Sequence, residues 1–280
     1  MNGSHLGHGD VVLSVYSLPR SITLDDRLRS AAAAGFSGVG LHVADYVTAR
    51  EEGRTDAEVH RLLSRYDMVL HEVDALALDR LENLDAAVHM VNEFGAHHLQ
   101  MQGNRPGTVE EAAEVIAGAA ERVASAGGNV AVEFLGCNNI ATAADALHIV
   151  ELSGQPNVGV QVDIWHHVRG ANDWSLLESL PSDRVASVQI NDGPLHPCVD
   201  DYLDDTRHHR CLPGDGEFDL ARFLELLYPS TCDLPLSVEV LDDDLAALSP
   251  QHAAEVMAHA TRRVMNSLLP RTSRAPESRS

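Results

Sequence analysis

The chain contains no lysine. All twenty of its basic residues are arginine, against 42 acidic ones, for a formal net charge of −22. Such a balance argues against a nucleic-acid or anionic-membrane surface, since both need exposed positive charge. Cysteine is scarce, with four residues at 137, 198, 211 and 232, and none has CxxC or zinc-ribbon spacing. Free thiols and a cytoplasmic setting are therefore expected rather than a disulfide framework. No apolar run is long enough to span a bilayer, and the first ten residues, rich in Gly and His, lack the apolar core of a signal peptide. What remains is a soluble protein with small-molecule business, for which a homo-oligomer is an open expectation.

No Pro/Ser-rich linker divides the 280 residues, and an α/β barrel needs roughly 250, so one domain is expected over residues 11–270. Residues 1–10 read as a flexible tail in which His5 and His8 are tail residues rather than ligands. Residues 271–280 mix Ser, Arg and Pro without periodicity and read as disordered.

Between these ends, β-rich runs alternate with segments of helical periodicity. Strands are expected at Val11–Leu18, Gly38–Val43, Met68–Leu76 and His97–Gly103, then in the runs carrying Glu133, Asp163, Gln189 and Glu239. Helices are expected between them, near 23–35, 55–66, 79–94, 109–126, 142–152, 174–180 and 220–228, with a last one at about 251–268. Gly35 and Gly95 stand as stops and 193–217 as a long loop. Eight strands alternating with eight helices predict a (β/α)8 TIM barrel.

The chemistry concentrates on four of these strands. Val158-Gly-Val-Gln-Val-Asp163 alternates an apolar face with one bearing Gln161 and Asp163, and His166 follows three residues on. Glu133 between Val132 and Phe134, Gln189 between Val188 and Ile190, and Glu239 between Val238 and Val240 repeat the pattern. In a barrel these four come from consecutive strands and converge on the carboxyl-end mouth. Three carboxylates gathered there repel unless one takes up a proton or a divalent cation sits between them. The donors Glu133, Asp163, Gln189 and Glu239 are all oxygen, which suits Mn²⁺ first, with Mg²⁺ or Co²⁺ as alternatives.

At these residues the sequence resembles the xylose-isomerase-like barrel superfamily of sugar isomerases, epimerases and related dehydratases. The resemblance runs over nearly the whole chain, through Ala31–Gly40 (AAAAGFSGVG), Val132-Glu-Phe134, Asp163-Ile-Trp-His166, Val188-Gln-Ile-Asn-Asp192, Leu212-Pro-Gly-Asp-Gly216 and Ser237-Val-Glu239. It implies that Glu133, Asp163 and Glu239 are metal ligands, with Gln189 standing where His is usual. Gln at this place is similar to the 3-dehydroshikimate dehydratase branch.

A metal chelating a carbonyl and its neighbouring hydroxyl makes the α-proton removable and stabilises an enediolate. Glu133 and Glu239 are the expected base and acid. Return of the proton makes an isomerase or epimerase, the first expectation. Loss of a β-hydroxyl makes a dehydratase, with His166 as its acid or as a group orienting Asp163. In the loop after strand seven, Arg210 is the candidate clamp for a substrate phosphate or carboxylate, with pairing to Asp204 or Asp205 as the alternative. Trp165 is the candidate pocket wall, or else packs under the rim. His71, Glu72, Gln100 and Gln102 are pocket candidates by position alone. An apurinic-endonuclease reading is opposed by the charge, and a silent ligand-binding barrel stands as the non-enzymatic alternative.

Overall fold

The computed structural model describes residues 5–268, apart from 106 and 230. Eight parallel strands close into a barrel in sequence order: β1 (Val11–Leu13), β2 (Gly38–His42), β3 (Val69–Ala77), β4 (His98–Gln102), β5 (Asn129–Glu133), β6 (Val158–Asp163), β7 (Val185–Ile190) and β8 (Leu236–Val238). Strand β1 pairs with both β2 and β8, so no strand edge is left open. Helices cover the outside as expected for a (β/α)8 barrel. Their starts follow sequence chemistry: Thr55, Thr108 and Thr142 each form a reciprocal capping box with the acid three residues on. Gly35, Gly95 and Gly154 end helices in the left-handed conformation.

The differences from expectation lie at the mouth. Strand β1 stops at Leu13 because the Ser14 hydroxyl accepts from the Tyr16 amide and turns the chain into a short 3-10 helix. A helix at Val43–Glu51, absent from the periodicity reading, starts where the His42 imidazole accepts from the Ala44 amide. The helix expected from 79 begins only at Leu84, because Leu78 and Arg80 are held in turns by the carbonyls of Gln102 and Ala77. Asp163 caps a helix at Ile164–Arg169, so His166 is helical rather than a strand end. The 193–217 loop contains a helix at Tyr202–His208.

Of the expected tail, residues 5–10 lie against the barrel. Leu6 is buried, His8 stacks on Tyr228 with ring centroids 4.5 Å apart, and the Gly9 amide donates to the Tyr228 hydroxyl. The expected disordered segment 271–280 lies outside the described residues. Among the described residues no helix is long and apolar enough to cross a membrane.

Valine, leucine, isoleucine and alanine fill the layer between strands and helices. The barrel lumen, by contrast, is polar. Glu72, Asp74, His98, Gln100, Glu133, Gln161, Asp163, Gln189, Asn191 and Glu239 are all buried. Gly40 makes room for the first two, since a Cβ there would collide with the Asp74 carboxylate and crowd that of Glu72.

Candidate active site

The four expected donors stand at or beside the carboxyl ends of β5 to β8. Their side chains are fixed by a network that single strands do not reveal. Glu239 Oε2 accepts from the Ser14 hydroxyl (2.7 Å) and the Gln189 amide (2.9 Å). Asp163 Oδ1 accepts from the Asn191 amide (2.7 Å) and the Trp165 backbone N–H (2.9 Å). Glu133 accepts from the Gln100 and Gln161 amides.

These bonds decide which way each amide points. Gln189 spends its NH₂ on Glu239, which leaves its carbonyl oxygen enclosed and without a partner. Such an acceptor is costly to bury unless something positive meets it. The crowding of carboxylates makes the same demand. Burial first, then Glu239 and Asp163, push the Glu133 carboxyl well above its usual range. Burial also raises Glu239, opposed chiefly by the Arg210 guanidinium. An all-oxygen set with one orphaned carbonyl and repelling carboxylates therefore fits a hard divalent cation held by Glu133, Asp163, Gln189 and Glu239.

Arg210 is neither a clamp in an open pocket nor a solvated loop residue. It is fully buried, its Nη1 lies 2.7 Å from Asp163 Oδ2, and its Nη2 lies 3.2 Å from Glu239 Oε1. The expected partner Asp205 pairs instead with Arg169, at 2.6 Å. Trp165 lies under the rim, completely buried. Its indole N–H donates to Thr206 (2.9 Å), and its ring lies beneath the guanidinia of Arg169 and Arg210 at 4.3 and 5.4 Å. It braces Arg210 and turns no face to the mouth.

His166 stands beside the donors, its Nε2 being 3.6 Å from Asp163 and 3.8 Å from Glu133. Glu133, Asp163 and His166 offer three ligand atoms within 4.8 Å of one another. The hydrogen-bond partners favour a different role for the histidine. The Tyr202 hydroxyl oxygen accepts from the Gly136 amide (3.2 Å), so its hydrogen is free for His166 Nδ1 at 2.8 Å. With that hydroxyl donating to Nδ1, the proton of the neutral imidazole is on Nε2, facing the carboxylates as a donor. Burial holds this ring neutral, lowering it to about 4.

Of the positional candidates, Gln100 binds Glu133 and Gln102 reaches a cleft over β1 to β4, whereas His71 lies at the opposite end of the barrel. Glu72 is inside, with the unpredicted Asp74 beside it. Neither carboxyl oxygen of Asp74 has a partner, and burial raises Glu72 to about 8 against the opposing Ser237 hydroxyl. The sequence signal for Asp74 was present, because His71-Glu-Val-Asp74 repeats the polar-apolar alternation of the other site strands. Tyr16 and Arg207 were also passed over as site residues. With Arg20, His42, Arg80 and Gln102 they line that cleft over β1 to β4, whose walls include none of the four donors.

The sequence pattern described as a xylose isomerase-like TIM barrel matches residues 28–264. The chain is similar to a 3-dehydroshikimate dehydratase of Pseudomonas putida, 27% identical over 86% of this chain and 40% of that protein. It is similar also to the 3-dehydroshikimate dehydratase of Pseudomonas aeruginosa, 29% identical over 84% of this chain and 38% of that one. It thus spans about two fifths of the length of these relatives. An inosose isomerase of Halalkalibacterium halodurans is 29% identical over 50% of this chain and 49% of its own. Among solved structures, the IolI protein with a bound zinc atom shares the fold with a TM-score of 0.79 at 16% identity, covering 92% of this chain and 99% of that one. The chain belongs to the xylose isomerase-like TIM barrel family.

Proposed function

We propose that the protein is a divalent-metal-dependent dehydratase acting on a cyclic hydroxy-ketone acid of the 3-dehydroshikimate class. The observation that carries this reading is the placement of the Glu133 carboxyl beside His166 Nε2, 3.8 Å apart, a base and a second proton-handling group on one side of the site. Support also comes from Gln189 and from the two dehydratase relatives that align with most of this chain. The sequence alone ranks isomerisation first; the longer alignments to dehydratases are the support for placing dehydration ahead of it here.

A cation held by Glu133, Asp163, Gln189 and Glu239, with Mn²⁺ expected ahead of Mg²⁺ or Co²⁺, would polarise the substrate carbonyl. The remaining work falls to side chains. Glu239, held by Ser14, Gln189 and Arg210, is the fixed carboxylate. Glu133 takes the α-proton and returns it to the departing β-hydroxyl, which His166 steadies through Nε2–H, so that substrate loses one molecule of water. Arg207, exposed at the cleft and free of any ion pair among the described residues, binds the substrate carboxylate.

Isomerisation is the second reading, favoured by the inosose isomerase likeness. There Glu133 and Glu239 share the return of the proton to carbon.

The test is to load the purified chain with Mn²⁺, supply 3-dehydroshikimate, and follow the absorbance of the dihydroxybenzoate that loss of water produces. Product from the wild type, abolished by Glu133→Gln and Asp163→Asn, is the expected result. Deuterium uptake from solvent without aromatic product would replace elimination by isomerisation. Neither signal would overturn both readings for this substrate class.

A further inference from the structure

At the opposite end of the barrel the structure gathers three histidines that the proposed chemistry does not use. Their placement begins with a fault in strand register. Val39 pairs with Leu70 but Gly40 pairs with Glu72, so His71 is an extra residue in β3, turned out of the alternation. His97 immediately precedes β4 and His98 is its first residue. The His71 and His97 rings stack face to face, with centroids 4.9 Å apart and planes 3° from parallel. His98 stands edge-on to both, at 5.6 and 5.7 Å.

One nitrogen from each ring lies within 4.8 Å of the other two. His71 and His98 are buried and His97 is half-buried. Neither nitrogen of His98 has a partner, although both are enclosed. Gln161, its polar neighbour in the lumen, spends its NH₂ on Glu133 and gives His98 a marginal contact short of full hydrogen-bond geometry. Enclosing an imidazole nitrogen without a full hydrogen-bond partner is unfavourable, and hydrophobic packing alone does not call for three such rings together.

We propose that His71, His97 and His98 bind a borderline transition-metal ion, Zn²⁺ by donor chemistry, at the amino-terminal floor of the barrel. All three rings are neutral at physiological pH, as ligands must be, because burial lowers His98 to about 3 and His97 to about 4 and carries His71 the same way. His5, whose ring meets the edge of His97 at 6.1 Å, is the nearest side chain for a fourth position. Asp233 adds negative charge toward His97. Zinc–nitrogen bonds of about 2.0–2.1 Å require the nitrogens to draw in to roughly 3.4 Å of one another, and one of the two stacked rings to turn out of parallel, since each lone pair lies in its ring plane. His97, half-buried and following the Gly95 helix stop, is the ring with freedom to move.

This site differs in kind from the mouth. Nitrogen donors here favour zinc, nickel or copper, whereas the oxygen donors there favour manganese or magnesium. Its ligands lie about 13 Å below the strand ends, at roughly 3.3 Å of rise per residue along β4. The ion would tie the β3 irregularity to the start of β4 and to the amino-terminal segment, a stabilising role suited to that face of a barrel.

The experiment compares metal-stripped wild type with His97→Ala, and with His97→Gln should the alanine variant not fold. Zinc binding is measured by calorimetry and Co²⁺ binding by its visible spectrum. The wild type should bind one equivalent more zinc than the variant, show an intense tetrahedral Co²⁺ band that the variant lacks, and gain more in melting temperature on adding zinc. In the wild type, ¹⁵N NMR should show zinc shifting the ring nitrogens of His71, His97 and His98. Equal stoichiometry and equal spectra in the two proteins, or imidazole signals unmoved by zinc, would overturn the proposal. Dehydratase activity is not a readout here, so failure of the floor site and failure of the mouth chemistry are separable.

Discussion

Arg210 and Asp163 form an ion pair of 2.7 Å between two fully buried side chains, and the same guanidinium reaches Glu239. Coulomb attraction in this setting repays desolvation only while both partners remain. Removing the cation leaves Asp163, Glu239 and Glu133 facing one another. Arg210→Ala is expected to destabilise the metal-free protein by about 3–5 kcal/mol, the usual cost of breaking a buried pair. Added Mn²⁺ should recover more stability in this variant than in the wild type, because it then supplies the only positive charge among the carboxylates. Urea denaturation with and without Mn²⁺ measures both effects, and an equal Mn²⁺ response in the two proteins would separate Arg210 from the metal site.

Tyr202 holds the His166 ring in place through a 2.8 Å hydrogen bond to Nδ1. Tyr202→Phe removes that bond and little packing. Partners that orient a working side chain typically cost 10–100-fold when removed, so kcat is expected to fall about tenfold with KM nearly unchanged. Steady-state kinetics on the dehydration reaction checks the split. A rise in KM alone would instead make Tyr202 a substrate contact.

The barrel and its ring of donors were legible because strand alternation is a local property. Each of Glu133, Asp163, Gln189 and Glu239 announces its facing by its two apolar neighbours. The network around them was not legible, because Ser14 to Glu239, Gln189 to Glu239 and Arg210 to Asp163 are contacts between 47 and 225 residues apart in sequence. The same distinction explains Arg210 and Trp165, which look like rim residues beside their own loops and are buried by the helix at Tyr202–His208. His71 departs from expectation for two reasons: it is the third residue of a β3 that runs on to Ala77, so it lies far from the carboxyl end, and the single extra residue changes which face it serves, register being the feature a lone sequence leaves open.

Arg207 carries the expectation for an anionic substrate. It faces the cleft that Arg20 and Arg80 also line, but Arg20 is already paired with Asp45. Arg207→Ala should raise KM for a carboxylate substrate about tenfold or more, with kcat less affected, since a group distant from the reacting carbon contributes mainly uniform binding. Its substitution should leave the melting temperature within a degree or two, because an exposed side chain without an ion pair contributes little to stability. An unchanged KM would remove Arg207 from the substrate site.

His167 offers a test of pH dependence away from the proposed donors. Its ring packs edge-on to Trp174 at 4.7 Å, Nε2 is enclosed without a partner, and burial lowers it to about 4 from the ordinary 6.5. Between those two values the unfolded chain binds a proton that the folded chain refuses. Stability from the neutral ring is therefore fully present above pH 6.5 and is lost as pH falls from 6.5 through 4. His167→Gln cannot titrate, so it should lose less stability than the wild type on going from pH 7.5 to pH 5. Urea midpoints at the two pH values, with chelator present to keep metal from the other histidines, isolate the difference. Parallel losses in the two proteins would mean that the His167 ring already takes up its proton in the folded state near its ordinary pH.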